Sequence, residues 1–333
     1  MAFVEVEDLQ KSYPGQGSLF KKAPAILAVA GVSFSIERGE SLGLVGESGC
    51  GKSTLGRALL RLVEPDRGRV VIDGTELSAL AGESLRKFRR HAQMVFQDPY
   101  ASLNPRMRIG SIVEEPLIVH ELGGDAKERK ERVAQLLAQV GLPSDAAQRL
   151  PHEFSGGQRQ RIGIARALAS DPKLVVADEP LSALDVSIQA QIVNLLVEQK
   201  AARGLSLLFI SHDLKMVRHL CDQVLVMYLG RVVEQGRPRA LFAAPRHPYT
   251  KALLSAVPVP DPTRRFSHLP LLGEPPSPAN PPSGCAFHPR CARYVSEGKP
   301  ARCIEERPIL DGPGRRPDST EDHRVACHFP DGV

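Results

Sequence analysis

The stretch Gly46-Glu47-Ser48-Gly49-Cys50-Gly51-Lys52-Ser53, followed by Thr54, constrains this chain more than any other. It matches G-x-x-x-x-G-K-[ST], the pattern of a phosphate-binding loop. Ser41–Val45 before it is short and apolar like a buried strand, and Thr54–Arg61 after it has helical spacing. The motif therefore stands in the strand–loop–helix context that gives it meaning. Glycines let backbone N–H groups curl around phosphate oxygens, and the helix amino end adds partial positive charge. Lys52 can reach the β- and γ-phosphates of a nucleoside triphosphate, and the Ser53 hydroxyl can ligate Mg²⁺.

The 333 residues allow about two domains, and 42% hydrophobic with 24% charged residues is ordinary for a globular chain. The formal charge of +5 is spread along the sequence and gives no argument for nucleic acid. No apolar run approaches the ~18–20 residues of a membrane helix. The start, Met1-Ala2-Phe3-Val4-Glu5-Val6-Glu7-Asp8, is acidic and alternating, unlike a signal peptide. A cytosolic chain is expected, reaching any membrane through a partner. Structural disulfides are then disfavoured for the six cysteines Cys50, Cys221, Cys285, Cys291, Cys303 and Cys327.

Phe3–Asp8 and Val32–Ile36 alternate like half-buried strands, joined by a basic loop with Lys21, Lys22 and Pro24. Tyr13, just upstream of the loop, is either a packing residue or a platform for an adenine ring. Arg69–Ile72 reads as a strand, Asp73-Gly74 as a turn and Gln93–Phe96 as another short strand. Then the texture changes. Ile109–Leu122, Lys127–Val140 and Gly157–Ala169 have helical spacing, broken at Gly123-Gly124, Pro143 and Pro151, as a helical insertion in an α/β domain would. Leu174–Ala177 is a continuous apolar run of the kind buried on both faces of a parallel sheet. A helical stretch, Val186–Ala202, and strands Leu205–Ile210 and Gln223–Tyr228 follow. Alternating strands and helices predict a mostly parallel sheet with ligands at the strands' carboxyl ends, where Gly46, Gln97, Asp178 and His212 all fall. Pro258–Pro282, with nine prolines, predicts an extended arm, and four cysteines lie beyond it.

Asp178 ends the apolar run Leu174–Asp178, where a carboxylate can hold Mg²⁺, and Glu179 is placed to polarise an attacking water. Ser155-Gly156-Gly157-Gln158, opening a helix, makes a second anion-binding terminus. One P-loop ATPase needs one such site, so the spare terminus fits the site of another subunit.

With these motifs in this order the chain resembles the ATP-binding cassette (ABC) ATPases, whose signature is Ser155-Gly156-Gly157-Gln158. The resemblance covers about residues 3–245. It implies an α/β P-loop NTPase (RecA-like) nucleotide-binding domain with an antiparallel β subdomain and a helical insertion. It also implies roles: Tyr13 stacking on adenine, Gln97 as the Q-loop glutamine that also faces Mg²⁺, and Ser182-Ala183-Leu184-Asp185 as the D-loop. His212 becomes the switch histidine on the γ-phosphate. Phe154 stands where Leu is commoner. The stretch Val95–Arg106 and His247-Pro248-Tyr249-Thr250 are similar to the ATPase subunits of dipeptide and oligopeptide importers. Asp98-Pro99-Tyr100 is similar to the second of their two paired ATPases. The partners so implied are a paralogous ATPase subunit, two transmembrane permease subunits and, indirectly, an extracytoplasmic solute-binding protein. The implied location is the cytoplasmic face of the plasma membrane. Nickel chelates or glutathione as solute, or a soluble non-transport ABC ATPase, are the alternatives.

Cys285, Cys291, Cys303 and Cys327 are separated by five, eleven and twenty-three residues, without the close pairs of a structural zinc site. Spacing leaves zinc, an iron–sulfur cluster and free thiols open. The family resemblance implies a four-cysteine [4Fe–4S] site, with ATP and Mg²⁺ as the other cofactors, while Cys50 and Cys221 read as packing residues. The expected organisation is an ATPase domain over 1–257, its helical part about 98–170, then the proline-rich arm and cysteine-containing extension over 258–333.

Overall fold

The computed structural model describes residues 2–15, 24–182, 184–256, 273–310 and 323–330. Lys21 and Lys22, Ala183 of the D-loop, and Pro258, Pro260, Pro262 and Pro270 of the predicted arm lie outside them. In chain order the strands are β1 (Val4–Tyr13), β2 (Ile26–Ile36), β3 (Ser41–Val45), β4 (Arg67–Ile72), β5 (Thr75–Glu76), β6 (Ala92–Val95), β7 (Leu174–Asp178), β8 (Ser206–Ile210), β9 (Gln223–Tyr228), β10 (Arg231–Gly236) and β11 (Arg324–Val325). The α-helices are α1 (Lys52–Leu59), α2 (Gly82–Phe88), α3 (Pro99–Ser102), α4 (Ile109–Val119), α5 (Ala126–Gln139), α6 (Gly156–Ala169), α7 (Val186–Arg203), α8 (Leu214–Leu220), α9 (Pro238–Ala243), α10 (Pro248–Ser255), α11 (Ala292–Ser296) and α12 (Arg302–Glu305). They form two compact units. The first comprises Met1–Val4, Ile36–Ser41 and Val71–Ser211; the second comprises Glu5–Ser35, Leu42–Val70 and His212–Val333.

In the first unit β6, β7 and β8 run parallel, with Ala92 opposite Leu174 and Leu174 opposite Ser206. Every residue of β7 and β8 is buried, which is why their sequences read as unbroken apolar runs rather than alternating ones. Each fully buried Leu or Val there contributes ~1.5–3 kcal/mol of transfer free energy. β4 and β5 close a hairpin over Asp73-Gly74, both with positive φ, the geometry of a type I′ turn. The predicted helical insertion is present: α4 packs on α5 and α6, and α3 on α6. Helix α4 ends three residues before the predicted Leu122. Glu121 adopts a left-handed φ of 56°, its N–H donates to Ile118 O and that of Leu122 donates to Leu117 O at 2.7 Å, a Schellman closure.

In the second unit β3 runs parallel to β9, and β9–β10 and β10–β11 are antiparallel. β2, β1 and β4 lie side by side in a separate sheet. β11, with Glu234 opposite Val325, adds the end of the chain as a two-residue strand. Tyr228 on β9, Tyr249 on α10 and Phe287 form a buried aromatic cluster, with ring centroids 4.7–5.4 Å apart. Such pairs add about 0.5–1.5 kcal/mol beyond their area, so the carboxyl-terminal extension is packed onto the unit that carries the phosphate loop. Among the described residues no helix is long and apolar enough to cross a membrane.

Candidate active site

The phosphate loop leaves β3 and enters α1, as the sequence predicts. Gly51 has φ 106°, and a Cβ there would stand 1.9 Å from Ala28 O, so only glycine fits. Cys50 O accepts from Gly230 N at 2.9 Å, tying the loop to the turn between β9 and β10. Among the described residues no side chain caps α1 at Gly51, and its first turn has no acidic residue, so its amino end favours an anion. Lys52 is 4% exposed and donates from Nζ to Gly46 O at 2.9 Å and Glu47 O at 3.0 Å. The ammonium thus lies folded across its own loop. Ser53 and Thr54 follow it, half-buried, on α1. Cys50 is buried, and burial pushes its thiol up.

Elsewhere in the second unit, Tyr13 at the end of β1 is 36% exposed, with Lys11 Nζ 5.7 Å from its ring centroid. His212 is exposed just before Asp213, whose carboxylate caps α8 by accepting from Lys215 N and Met216 N.

In the first unit Asp178 is fully buried at the end of β7. Glu179 is half-buried with φ 43°, a left-handed conformation that costs a non-glycine residue ~1 kcal/mol or more. It is fixed by its N–H to Ile210 O at 2.9 Å, and its Oε2 accepts from Gln97 Nε2 at 3.0 Å. Two residues chosen separately from sequence, 82 positions apart, thus meet at one carboxylate. Ser155 caps α6: its Oγ accepts from Gln158 N, and Gln158 Oε1 accepts from Ser155 N at 2.9 Å. Gly156 and Gly157 form the first turn of that helix. Asp185 caps α7, accepting from Ile188 N at 3.0 Å and from the Ser187 hydroxyl at 2.6 Å, and these bonds hold its carboxyl below the ordinary range.

The four late cysteines line one small cavity of ≈ 20 Å³, together with His247, Phe287, His288 and Tyr294. That volume has room for about one water. Gly284, at φ 59°, would place a Cβ 2.5 Å from Cys303 O; its absence lets Cys285 N donate to that oxygen at 2.9 Å. Cys327 follows β11 and is delivered by the pairing with β10. Burial pushes Cys285 up to about 11 and Cys327 to about 12, and raises Cys303 as well. Among the described residues no three or more His, Cys, Asp or Glu are grouped to hold a metal ion. The expected [4Fe–4S] site therefore has no formed ligand set here. Cys303 is buried and Cys285, Cys291 and Cys327 are half-buried around the cavity, none of the four in a disulfide.

Two contacts had no counterpart in the sequence reading. Arg290, whose side chain is 4% exposed, donates from both terminal nitrogens to both carboxylate oxygens of Glu47, at 2.7 and 3.1 Å. Tyr249 Oη accepts from Glu47 N at 2.8 Å.

Residues 29–182 match the family model described as ABC transporter, and residues 233–297 match that of the oligopeptide/dipeptide transporter C-terminal region. The chain is 52% identical to a probable peptide ABC transporter ATP-binding protein of Sinorhizobium fredii, over 98% of this chain and 90% of the relative. It is 51% identical to the oligopeptide transport ATP-binding protein AppF of Bacillus subtilis, over 98% and 97%. The chain belongs to the ABC transporter ATPases. Among solved structures it is similar to the dimeric cassette MJ0796 in a post-hydrolysis state bound to ADP and Pi, with TM-score 0.64 and 31% identity. That match covers 71% of this chain and 99% of the other. As an ABC ATPase the chain hydrolyses ATP, and the P-loop NTPase fold expected from its motifs is the fold it has.

Proposed function

We propose that this chain is the second of two paired ATPase subunits energising import of di- or oligopeptides. It would work with two permease subunits and, through them, an extracytoplasmic solute-binding protein. The observation that carries the reading is the pairing, on one chain, of a full set of ABC ATPase motifs with the oligopeptide/dipeptide transporter C-terminal region at 233–297. Identities near 50% to peptide-transport ATPases over almost the whole chain support it. The absence of a membrane-crossing helix among the described residues is consistent with peripheral attachment at the cytoplasmic face of the membrane.

In this reading the phosphates displace Lys52 Nζ from the carbonyls of Gly46 and Glu47, and Gly46–Thr54 wrap them with backbone amides. Tyr13 carries the adenine. The family resemblance assigns Ser53, Asp178 and Gln97 to Mg²⁺, which would neutralise phosphate charge. Glu179, oriented by Gln97, polarises the attacking water, and His212 contacts the γ-phosphate. Ser155, Gly156, Gly157 and Gln158 serve the site of the partner ATPase, and Asp185 links the two sites. Val186, beside Asp185, is 75% exposed, an apolar surface that a second ATPase subunit would cover. Tyr100, 61% exposed on α3, lies in Gln97–Arg106, the stretch that would contact the permease subunits.

The domain division at 257/258 belongs to this reading, as does a [4Fe–4S] cluster on Cys285, Cys291, Cys303 and Cys327. Its support is that residues so far apart in sequence line one cavity, together with the suitability of thiolates for iron–sulfur ligation. Loading would deprotonate raised thiols, so occupancy should fall as pH is lowered. Anaerobic purification with iron and sulfide assays decides it: four of each per chain support the cluster, and zinc or no metal removes it. The transport reading is tested by uptake of labelled peptides in cells carrying Glu179→Gln, with parallel transporters deleted. Lost uptake with normal growth on free amino acids is expected; unchanged uptake removes peptides from the reading.

A further inference from the structure

The phosphate loop contains a carboxylate where it least suits a polyanionic ligand. Glu47 is the second residue of the loop, and an ionised side chain there repels phosphates through the same short distances that make the loop attractive. The structure pairs it. Arg290 offers two parallel N–H donors to the two carboxylate oxygens, at 2.7 and 3.1 Å, the strongest geometry an ion pair takes. The guanidinium is itself held in place, its centre 6.0 Å from the Tyr228 ring centroid. The Glu47 carboxylate drives the Arg290 pKa further up, so the cation persists at any physiological pH. Tyr249 Oη takes the Glu47 N–H, fixing the backbone at the same residue. Both partners come from the carboxyl-terminal region, 243 and 202 positions away, and Arg290 directly precedes Cys291.

We infer that Arg290 and Tyr249 are positioning residues for nucleotide binding: the carboxyl-terminal region neutralises and aims Glu47 so that the phosphate loop can accept ATP. The extension thereby sets nucleotide affinity from within the same compact unit, and a disturbance of the turn that holds Cys291 reaches the loop through one side chain. The inference rests on Gly46–Thr54 being the ATP site.

The test is equilibrium binding of a fluorescent ATP analogue to the full-length chain. Wild type must bind; if it does not, the ATP-site reading fails and not the clamp. Arg290→Ala leaves Glu47 ionised beside the phosphates and is expected to weaken binding about tenfold or more. Arg290→Lys keeps the charge without the fork and should lose less. The deciding variant is Arg290→Ala combined with Glu47→Gln, which removes both charges and should return affinity to within about threefold of wild type. In the assembled complex the loss from Arg290→Ala should fall on KM, with kcat nearly unchanged. Wild-type affinity in Arg290→Ala, or no recovery in the double variant, overturns the inference. Should Arg290→Ala fold poorly, Arg290→Lys and the double variant still decide it.

Discussion

Two glutamates in this chain, one inside a strand and one just past a strand's end, are treated in opposite ways. Glu234 on β10 is fully buried, and its carboxylate accepts from Arg246 N at 2.7 Å and His247 N at 3.0 Å, with His323 Nε2 at 2.7 Å. Those donors come from the segment entering α10 and from the residue before β11. One carboxylate thus joins the segment entering α10 to the residue before β11. Glu179, after β7, is half-buried, keeps a left-handed backbone at φ 43° and faces the exposed amide of Gln97. The first carboxylate is saturated by its own fold; the second is strained by it. Saturation fits a scaffold, whereas a half-buried carboxylate held on a left-handed backbone fits the catalytic role proposed for Glu179.

The sharpest way to break this contrast is Glu234→Leu. It strips the buried amides and His323 of their acceptor and should destabilise the chain by ~3–5 kcal/mol in denaturant unfolding. ATP hydrolysis per folded molecule should change far less. A stable Glu234→Leu would mean that the carboxylate is not what holds the extension. Next in size, Gln97→Ala removes the donor to Glu179 and should lower ATP hydrolysis by the assembled transporter about tenfold, at unchanged melting temperature, an effect of ~1.4 kcal/mol. A fall in melting temperature with intact turnover would recast Gln97 as scaffold. The smallest effect runs the other way. Glu179→Gly relieves the left-handed strain and should raise stability by ~1 kcal/mol while removing hydrolysis. No gain in stability would show that the φ of Glu179 carries no strain.

What could be read in advance divides along the same line. The phosphate loop, Asp178 with Glu179 and the Ser155 helix start are local patterns, each written within a few consecutive residues, and each stands where the pattern put it. The helical insertion was legible because α4, α5 and α6 each keep an apolar face at helical spacing. Its boundary at α4 was not, because the left-handed turn is taken by Glu121 and not by a glycine. Asp185 was assigned by resemblance to communication between sites, and its observed bonds are those of a helix cap. The clamp on Glu47 joins residues 243 positions apart and leaves no periodicity or spacing to find. Likewise β11 is too short to alternate, yet its pairing is what brings Cys327 to the other three cysteines. Local chemistry is written locally, and the extension that supports it is written only in the fold.

Glu179 is proposed as the carboxylate that drives turnover. ATP hydrolysis by the assembled transporter carrying Glu179→Gln in this subunit, with nucleotide binding measured alongside, addresses it most directly. Hydrolysis at this site is expected to fall ~10²–10³-fold with ATP still bound. Hydrolysis at the wild-type rate by the complex would contradict it.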